Sequence, residues 1–448
     1  MLSLLLVHDF LLSKSGIALP QSHGLRASIE RHRARLTSEF TRARIRRKLP
    51  SVDAFRTQVE EEASPGPAHP RWIRVNTLKT TVRDQVETTF AGFETVSSVE
   101  DIVNGAKKAI CIDPNIPDLV ALSPGTDFTK TNAYKSGAII LQDKASCFPA
   151  YLLDPSSGDG DVIDSCAAPG NKTTQLAALL GSRTANSGKV FAFEKDKNRG
   201  ATLERMVKLA GADDVVQISK GQDFLKVKPN SEVYKNVRAL LLDPSCSGSG
   251  IVGRDEMPDL HLPENTVSGT TGKKKKPAKS PAPAPAPAPA SSESRKRKRS
   301  DQDHAKPPLV LIDDDGESVA VPSERDLSAR IDALSAFQLS LVLHALSFPA
   351  AERITYSTCS VHARENEGVV LAALQSDVAK SRGWRILGRE AQVKGLREWP
   401  VRGDVEACEG DEGLADACIR TYRDDGRGVM GFFVAAFVRD AGEDDEEA

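Results

Sequence analysis

A chain of 448 residues has room for two or three domains, and a hydrophobic fraction of 40% is ample for a packed core. Sixty basic residues against sixty-two acidic ones leave a formal net charge of −2, so overall charge names no partner. Seven cysteines, an odd number without C-x-x-C pairing, exclude a disulfide framework and argue for a reducing compartment.

The opening "MLSLLLVHDFLLSK" lacks a basic first section and is interrupted by His8 and Asp9, which argues against a signal peptide. No stretch reaches the roughly 20 uninterrupted apolar residues of a membrane helix, so no membrane partner is expected. Residues 1–62 read as a helical, basic region. Leu25, Ile29, Leu36, Phe40 and Ile45 fall close to a 3.6-residue period. Between Arg26 and Lys48 stand nine Lys/Arg and two Glu, a balance that suits a polyanion. "EEASPGPAHP" then breaks the chain. "RWIRVNTLKTT" has strand character, and with the helical "TVRDQVETTF" and the apolar "LVALS" it predicts a small α+β module over 63–135.

From Gly158 strands and helices alternate. Strands are predicted in "GDVIDSCAAPG", "GKVFAFEKD", "DVVQIS", "VRALLLDPSC", "ERITYSTCS" and "GVMGFFVAAFV". Helices are predicted in "NKTTQLAALLG", "NRGATLERMVKLAG", "LSAFQLSLVLHALSF" and "ENEGVVLAALQ". This is the pattern of an α/β domain on a mostly parallel sheet, here over 136–440. Residues 255–325 interrupt it with "KKKKPAKSPAPAPAPAPASSESRKRKRS", read as a disordered insert whose basic clusters suit nuclear import. An acidic tail, 441–448, closes the chain. Cys408 and Cys418 lie near each other but lack a His-rich partner segment, so no metal site is expected.

In open α/β sheets ligands sit beyond the carboxyl ends of the strands. The first turn, "DSCAAPGNKT", is neither G-x-G-x-x-G nor G-x-x-x-x-G-K-[ST], which argues against a dinucleotide or a P-loop site. Its small residues let backbone approach a ligand at a helix start. Glu194 ends the second strand, where a carboxylate suits ribose hydroxyls, and Asp223 follows the third, within reach of a base's amine. Together these suggest an adenosine-bearing ligand without a pyrophosphate, best matched by S-adenosylmethionine.

Cys246 and Cys359 follow the fourth and fifth strands, beyond the apolar runs. One reaction needs a thiolate beside a methyl donor. Carbon 5 of a pyrimidine attacks a methyl sulfonium only after a thiolate adds to carbon 6 and makes an enamine. Asp243 is placed to hydrogen-bond ring nitrogen 3 and the amine of cytosine. The chemistry alone does not rank the two thiols.

"LQDKASCFPA", "DSCAAPGNKT", "FEKD", "DPSCSGSG" and "TYSTCSVHARENE" resemble, in order, the motifs of the Sun-domain RNA cytosine-C5 methyltransferases, and "RWIRVNTLKTT" resembles the start of that family's RNA-binding module. The resemblance spans most of the chain outside the insert. It implies a class I S-adenosylmethionine-dependent methyltransferase fold, with a Rossmann-like, mostly parallel seven-stranded sheet. It also implies Cys359 as the nucleophile, Cys246 in product release and Asp243 orienting the base. Cys166, Ala167, Ala168, Pro169, Gly170, Asn171, Lys172, Glu194, Asp223 and Asp243 would hold the cofactor. Arg71, Arg74, Asn76 and Lys79 would grip RNA phosphates. The Asn in "PGNKT", the "CSGSG" and the basic start look most like the nucleolar branch that modifies large-subunit ribosomal RNA. That implies nuclear and nucleolar location, a pre-60S setting and a monomer. A transfer RNA methyltransferase and a non-catalytic RNA-binding assembly factor are the alternatives.

Overall fold

The computed structural model describes residues 2–13, 15–63, 69–105, 108–124, 127–155, 160–181, 188–251, 309–312, 318–321, 324–423 and 425–440. Residues 252–308, with both basic clusters of the expected insert, and the acidic tail lie outside the described residues. The chain divides into two compact units, Met1–Pro67 and Ala68–Ala448.

The first unit is helical: α1 (Leu2–Leu12), α2 (Gly24–Glu30), α3 (Arg33–Arg46) and α4 (Val52–Ala63). The periodic run over residues 25–45 divides in two at Arg31–His32. Its apolar stripe is not a core face. Leu25 is 41% and Ile45 63% exposed. Phe40 is the exception in packing: its ring meets Phe55 at 5.6 Å, and the Arg47 guanidinium lies over the same Phe55 ring.

The second unit opens with a five-stranded sheet of order β2-β3-β4-β1-β5. Its strands are β1 (Arg71–Val75), β2 (Glu94–Thr95), β3 (Ala109–Ile112), β4 (Leu119–Leu122) and β5 (Ile139–Leu141). Helices α5 (Val82–Glu87), α6 (Val99–Val103) and α7 (Asn132–Lys135) accompany it. Thr81 and Asp84 close a capping box at the start of α5. β5 pairs with β1 and lies beyond residue 135, where the sequence placed the end of this module.

Helix α8 (Lys144–Leu153) leads into the large sheet. Five strands run parallel in the order β8-β7-β6-β9-β12. They are β6 (Asp161–Asp164), β7 (Val190–Glu194), β8 (Val216–Lys220), β9 (Val237–Leu242) and β12 (Arg353–Thr358). Between β9 and β12, β10 (Leu309–Ile312) and β11 (Ser318–Val321) pair as an antiparallel ribbon. The β-branched runs "LVLI" and "SVAV" thus form strands inside the segment read from sequence as disordered.

β15 (Phe432–Val438) lies antiparallel to β12, and all seven of its residues are buried. A continuous apolar run is what a strand covered on both faces requires. Its outer edge is divided between two short strands, β13 (Arg385–Ile386) and β14 (Ile419–Thr421). The sheet therefore has eight strands rather than the expected seven. The stretch 380–430, unexplained by the sequence, supplies that edge and the buried ion pair of Arg420 with Glu367 at 2.6 Å. The burial of Cys408 and Cys418 also falls here.

Helices α9 (Asn171–Gly181) and α10 (Lys197–Ala210) pack Leu176, Leu203 and Val207 on one core. Helices α11 (Glu324–Leu346) and α12 (Glu367–Gln375) pack Leu341, Val342 and Val370 on another. Asp196 caps α10 by accepting the N–H groups of Asn198 and Arg199, and Gly211 ends it in the left-handed conformation. The consequence for function is directional. The five parallel strands deliver their carboxyl ends, and the loops after them, to one edge.

Candidate functional site

A cavity of about 900 Å³ opens at that edge. Its wall takes residues from all five loops, including Cys166, Glu194, Asp223, Asp243, Cys246 and Cys359. The module contributes Arg71 and Trp72 to the rim.

The loop after β6 shows how the first turn is shaped. Ala167 donates its N–H to Phe193 O at 2.9 Å, and Ala168 donates to Glu194 Oε2 at 3.3 Å. These two amides, expected to face a cofactor, fasten the turn to β7 instead. Ala167 and Gly170 stand behind the cavity wall, while Cys166, Ala168, Pro169, Asn171 and Lys172 form it. Gly170 has φ +113°, a conformation that favours glycine, and a Cβ there would crowd the Leu203 and Met206 side chains at 3.1 Å.

Glu194 is 5% exposed and also accepts the Asp196 N–H at 2.8 Å. Asp223 pairs with Lys195 at 3.2 Å and accepts the Leu225 N–H. Below them Asp164 is buried; its Oδ2 accepts the Thr173 hydroxyl at 2.7 Å and its Oδ1 has no hydrogen-bond partner. Burial raises its pKa to about 7, against the Thr173 hydrogen bond and with help from Asp243. The cavity fits an adenosine-bearing sulfonium compound, and Glu194 and Asp223 are carboxylates in its wall that could accept hydrogen bonds from it.

The other half of the cavity holds the reactive groups. Cys246 Sγ lies 3.1 Å from Cys359 Sγ, although 113 residues separate them in sequence. Lys172 Nζ pairs with Asp243 Oδ2 at 2.7 Å and donates to Ser146 Oγ at 3.1 Å. Ser357 donates to Asp243 Oδ1 at 2.6 Å. Burial alone would lower the Lys172 pKa, but Asp243 above all, with Cys359 and Asp164, raises it. The cation therefore persists beside both the carboxylate and the Cys359 sulfur. By contrast the Cys166 thiol in the same wall is pushed up to about 12, by burial first and then by the surrounding acids. It stays protonated at neutral pH.

The residues expected to grip RNA divide. Arg71 is exposed at the rim. Arg74 is buried and donates to Gln142 Oε1 at 2.7 Å, Thr174 Oγ1 at 2.8 Å and Asn171 O at 3.3 Å. Burial lowers its pKa to about 10. Asn76 Nδ2 donates to Gly137 O and Ala210 O, and Lys79 Nζ donates to Ser136 O and Leu209 O. Ala210 and Leu209 end α10, whose last carbonyls lack helical partners and favour a cation. Arg74 and Asn76 thus fix the module to the catalytic domain and offer nothing to a phosphate. Lys79, though exposed, has its ammonium committed to the helix end.

Sequence reasoning also missed a buried network behind the two cysteines. Glu365, fully buried, accepts hydrogen bonds from the loops that carry Cys246 and Cys359. Its only sequence signal is its place in the "ARENE" that follows the second cysteine.

Comparison with known proteins agrees with this geometry. The model of the NOL1/NOP2/Sun domain family member 5 ferredoxin-like domain matches residues 69–142, and that of the 16S rRNA methyltransferase RsmB/F matches residues 150–279. The chain is 36% identical over 437 residues to the 25S rRNA (cytosine-C(5))-methyltransferase rcm1 of Schizosaccharomyces pombe, covering 97% of this chain and 76% of that one. It is 34% identical over 420 residues to the 28S rRNA (cytosine-C(5))-methyltransferase of Mus musculus, covering 92% and 72%. A solved methyltransferase homologue from Pyrococcus horikoshii shares the fold, with TM-score 0.53, 22% identity and coverage of 84% and 88%. Two thiols in contact in the wall of a cavity at the carboxyl ends of the parallel strands, and more than a third of all residues shared with a relative along nearly the whole chain, have one explanation: the chain belongs to the Sun-domain family of RNA cytosine-C5 methyltransferases.

Proposed function

We propose that the protein methylates carbon 5 of a cytosine in large-subunit ribosomal RNA through a transient cysteine–cytosine bond. The observation that carries this is the 3.1 Å contact between Cys246 and Cys359 in the wall shared with Glu194 and Asp223. S-adenosylmethionine is the cofactor, and it supplies an electrophilic methyl group. The Cys359 thiolate forms a bond to carbon 6, and the ring's 5,6 electron pair becomes an enamine. Carbon 5 takes the methyl, with the electron pair of the broken bond leaving on the donor sulfur. Cys246, as thiolate, then removes the carbon 5 proton. The 5,6 double bond re-forms and the bond to Cys359 breaks, which frees the product. Asp243, braced by Lys172 and Ser357, holds the cytosine edge during addition.

The target base must be unpaired or extruded to reach these thiols. Arg71 at the rim and the arginine-rich α3 would hold phosphates and position the strand. The substrate class follows the relatives, which are named for large-subunit ribosomal RNA. A nucleolar, pre-60S setting, entry to the nucleus through the basic clusters, and action as a monomer belong to the same proposal. Among the described residues no helix is long and apolar enough to cross a membrane.

Bisulfite sequencing of total RNA with and without the gene tests the substrate. One cytosine of the large-subunit RNA is expected to lose its protection in the deletion strain. Loss at a transfer RNA site instead would establish the other substrate class, and no loss anywhere would establish a non-catalytic role.

The division among the basic residues gives a second expected result. Arg71→Ala weakens RNA binding and reduces the salt slope by about 0.7, the contribution of one single-strand phosphate contact. Arg74→Ala leaves that slope unchanged and lowers stability by on the order of 3 kcal/mol, because its three buried acceptors lose their donor. Filter binding from low to high salt, beside thermal unfolding, reads both. A slope change with Arg74→Ala would return that residue to the RNA surface.

A further inference from the structure

The carboxylate of Glu365 sits behind the two thiols and touches neither the cavity nor the reacting atoms. It lies in the short turn Ala363–Glu365 after β12 and is 0% exposed. Oε1 accepts the Ser247 N–H at 2.9 Å and the Gln338 amide at 3.0 Å. Oε2 accepts the hydroxyls of Ser247 and Ser360, each at 2.6 Å. All four donors are neutral, and a carboxylate is the side chain with acceptor sites alone, enough for four. The short distances are those of charge-assisted bonds.

The placement of those donors matters more than their number. Ser247 follows Cys246 directly, and Ser360 follows Cys359. Gln338 also donates to Ser245 O at 3.0 Å, so both residues flanking Cys246 are tied to the same pair. The amide of Gln338 is itself oriented by the Tyr356 hydroxyl at 3.2 Å from its Oε1; that hydroxyl also donates to the backbone oxygen of Glu365. Gly250 N–H to Cys359 O, at 2.9 Å, adds a direct backbone tie between the two loops.

We propose that Glu365 is a positioning residue for both chemical steps: one buried carboxylate sets the register of the Cys246 and Cys359 loops so that both sulfurs address the same pyrimidine ring. This rests on the reading that the two thiols act in sequence on one cytosine. Addition at carbon 6 and proton removal at carbon 5 occur on adjacent atoms, so a shift of either loop by a bond length separates the two steps. Through Ser247 and Ser360 the carboxylate fixes both loops from one point outside the cavity lining.

Glu365→Gln in the full chain tests this. The amide keeps the shape but points an N–H₂ donor at groups that are themselves donors. Loop register is read without RNA, by the rate at which diamide joins Cys246 to Cys359. The two thiols lose two electrons and two protons to the diazene, and peptide mapping identifies the linked pair. The variant is expected to cross-link at least about tenfold more slowly and to lose about 100-fold in kcat, the usual effect of a small misplacement of reacting groups. Affinity for S-adenosylmethionine, KM for RNA and the thermal midpoint are expected to stay near wild type. If the variant does not fold, Ser360→Ala removes one donor and keeps the carboxylate, with about a tenfold effect on the same two readouts expected. Cross-linking at the wild-type rate would overturn the proposal, as would a loss of kcat matched by equal losses of cofactor affinity and thermal midpoint. Failure of the wild-type enzyme to methylate would sink the underlying reading instead, and the diamide rates would still decide the role of Glu365 in loop register.

Discussion

Cys246→Ala enzyme, given RNA and S-adenosylmethionine, is expected to accumulate a covalent protein–RNA complex that survives a denaturing gel. Cys359→Ala enzyme is expected to form none and to lose methylation altogether. The two sulfurs lie 3.1 Å apart, so either could reach the ring, and the variants separate their duties. Without Cys359 no sulfur adds to carbon 6 and carbon 5 stays too weak a nucleophile. Without Cys246 addition and methyl transfer proceed, but the proton on carbon 5 has no base. General-base assistance is worth about 10²–10⁴-fold, so elimination becomes the slow step by that margin and the adduct persists. The lifetime of the band, chased with unlabelled RNA, measures it. A band with Cys359→Ala and none with Cys246→Ala would exchange the two roles. The double variant is expected to match Cys359→Ala alone, because a step that never starts cannot be slowed again.

Much of this site was legible because its residues end strands. The parallel order was readable from runs such as "VRALLL" and "RITYST", and once strands are placed, their following residues converge on one edge. Glu194, Asp223, Asp243, Cys246 and Cys359 all became visible in that way. What was not legible depends on contacts between distant segments. Arg74 and Asn76 look in sequence like phosphate ligands, since a basic strand has the same letters whether it faces solvent or a helix end. Only the approach of distant segments decides: Gln142, Asn171 and Thr174 close around Arg74, and Ala210 at the end of α10 meets Asn76. Glu365 was hidden for a similar reason. A buried acid whose carboxylate accepts from neutral groups reads as a surface residue until its hydrogen-bond donors, 27 and 118 residues away or only five, are brought around it. The edge strands β13 and β14 were too short for any periodicity to show.

The strongest remaining effect is expected at Asp243. Asp243→Asn keeps volume and one acceptor but removes the charge that Lys172 and Ser357 hold in place at 2.7 and 2.6 Å. Asp243 would accept the cytosine amine and hold the Lys172 ammonium, whose charge offsets the negative charge that thiolate addition puts on the ring. Such stabilisation is worth about 10²–10³-fold in kcat, and its loss should appear equally in adduct formation when the change is made in the Cys246→Ala background. A second signature distinguishes electrostatics from shape. In the wild-type protein burial pulls the Lys172 pKa down, but Asp243, with Cys359 and Asp164, keeps it above its ordinary value of 10.5. With Asp243 neutral the main upward influence is gone while burial still acts downward, so the ammonium gives up its proton at a lower pH than in the wild type. The rate of Asp243→Asn should therefore fall on the alkaline side at a lower pH than that of the wild type. Ser357→Ala, which leaves the ion pair intact, should lower kcat by only about tenfold and leave the alkaline limb in place. A pH profile of single-turnover methylation for the three enzymes reads both effects. Superimposable alkaline limbs would show that Asp243 holds the base by shape alone and that the Lys172 charge has no part in the addition step.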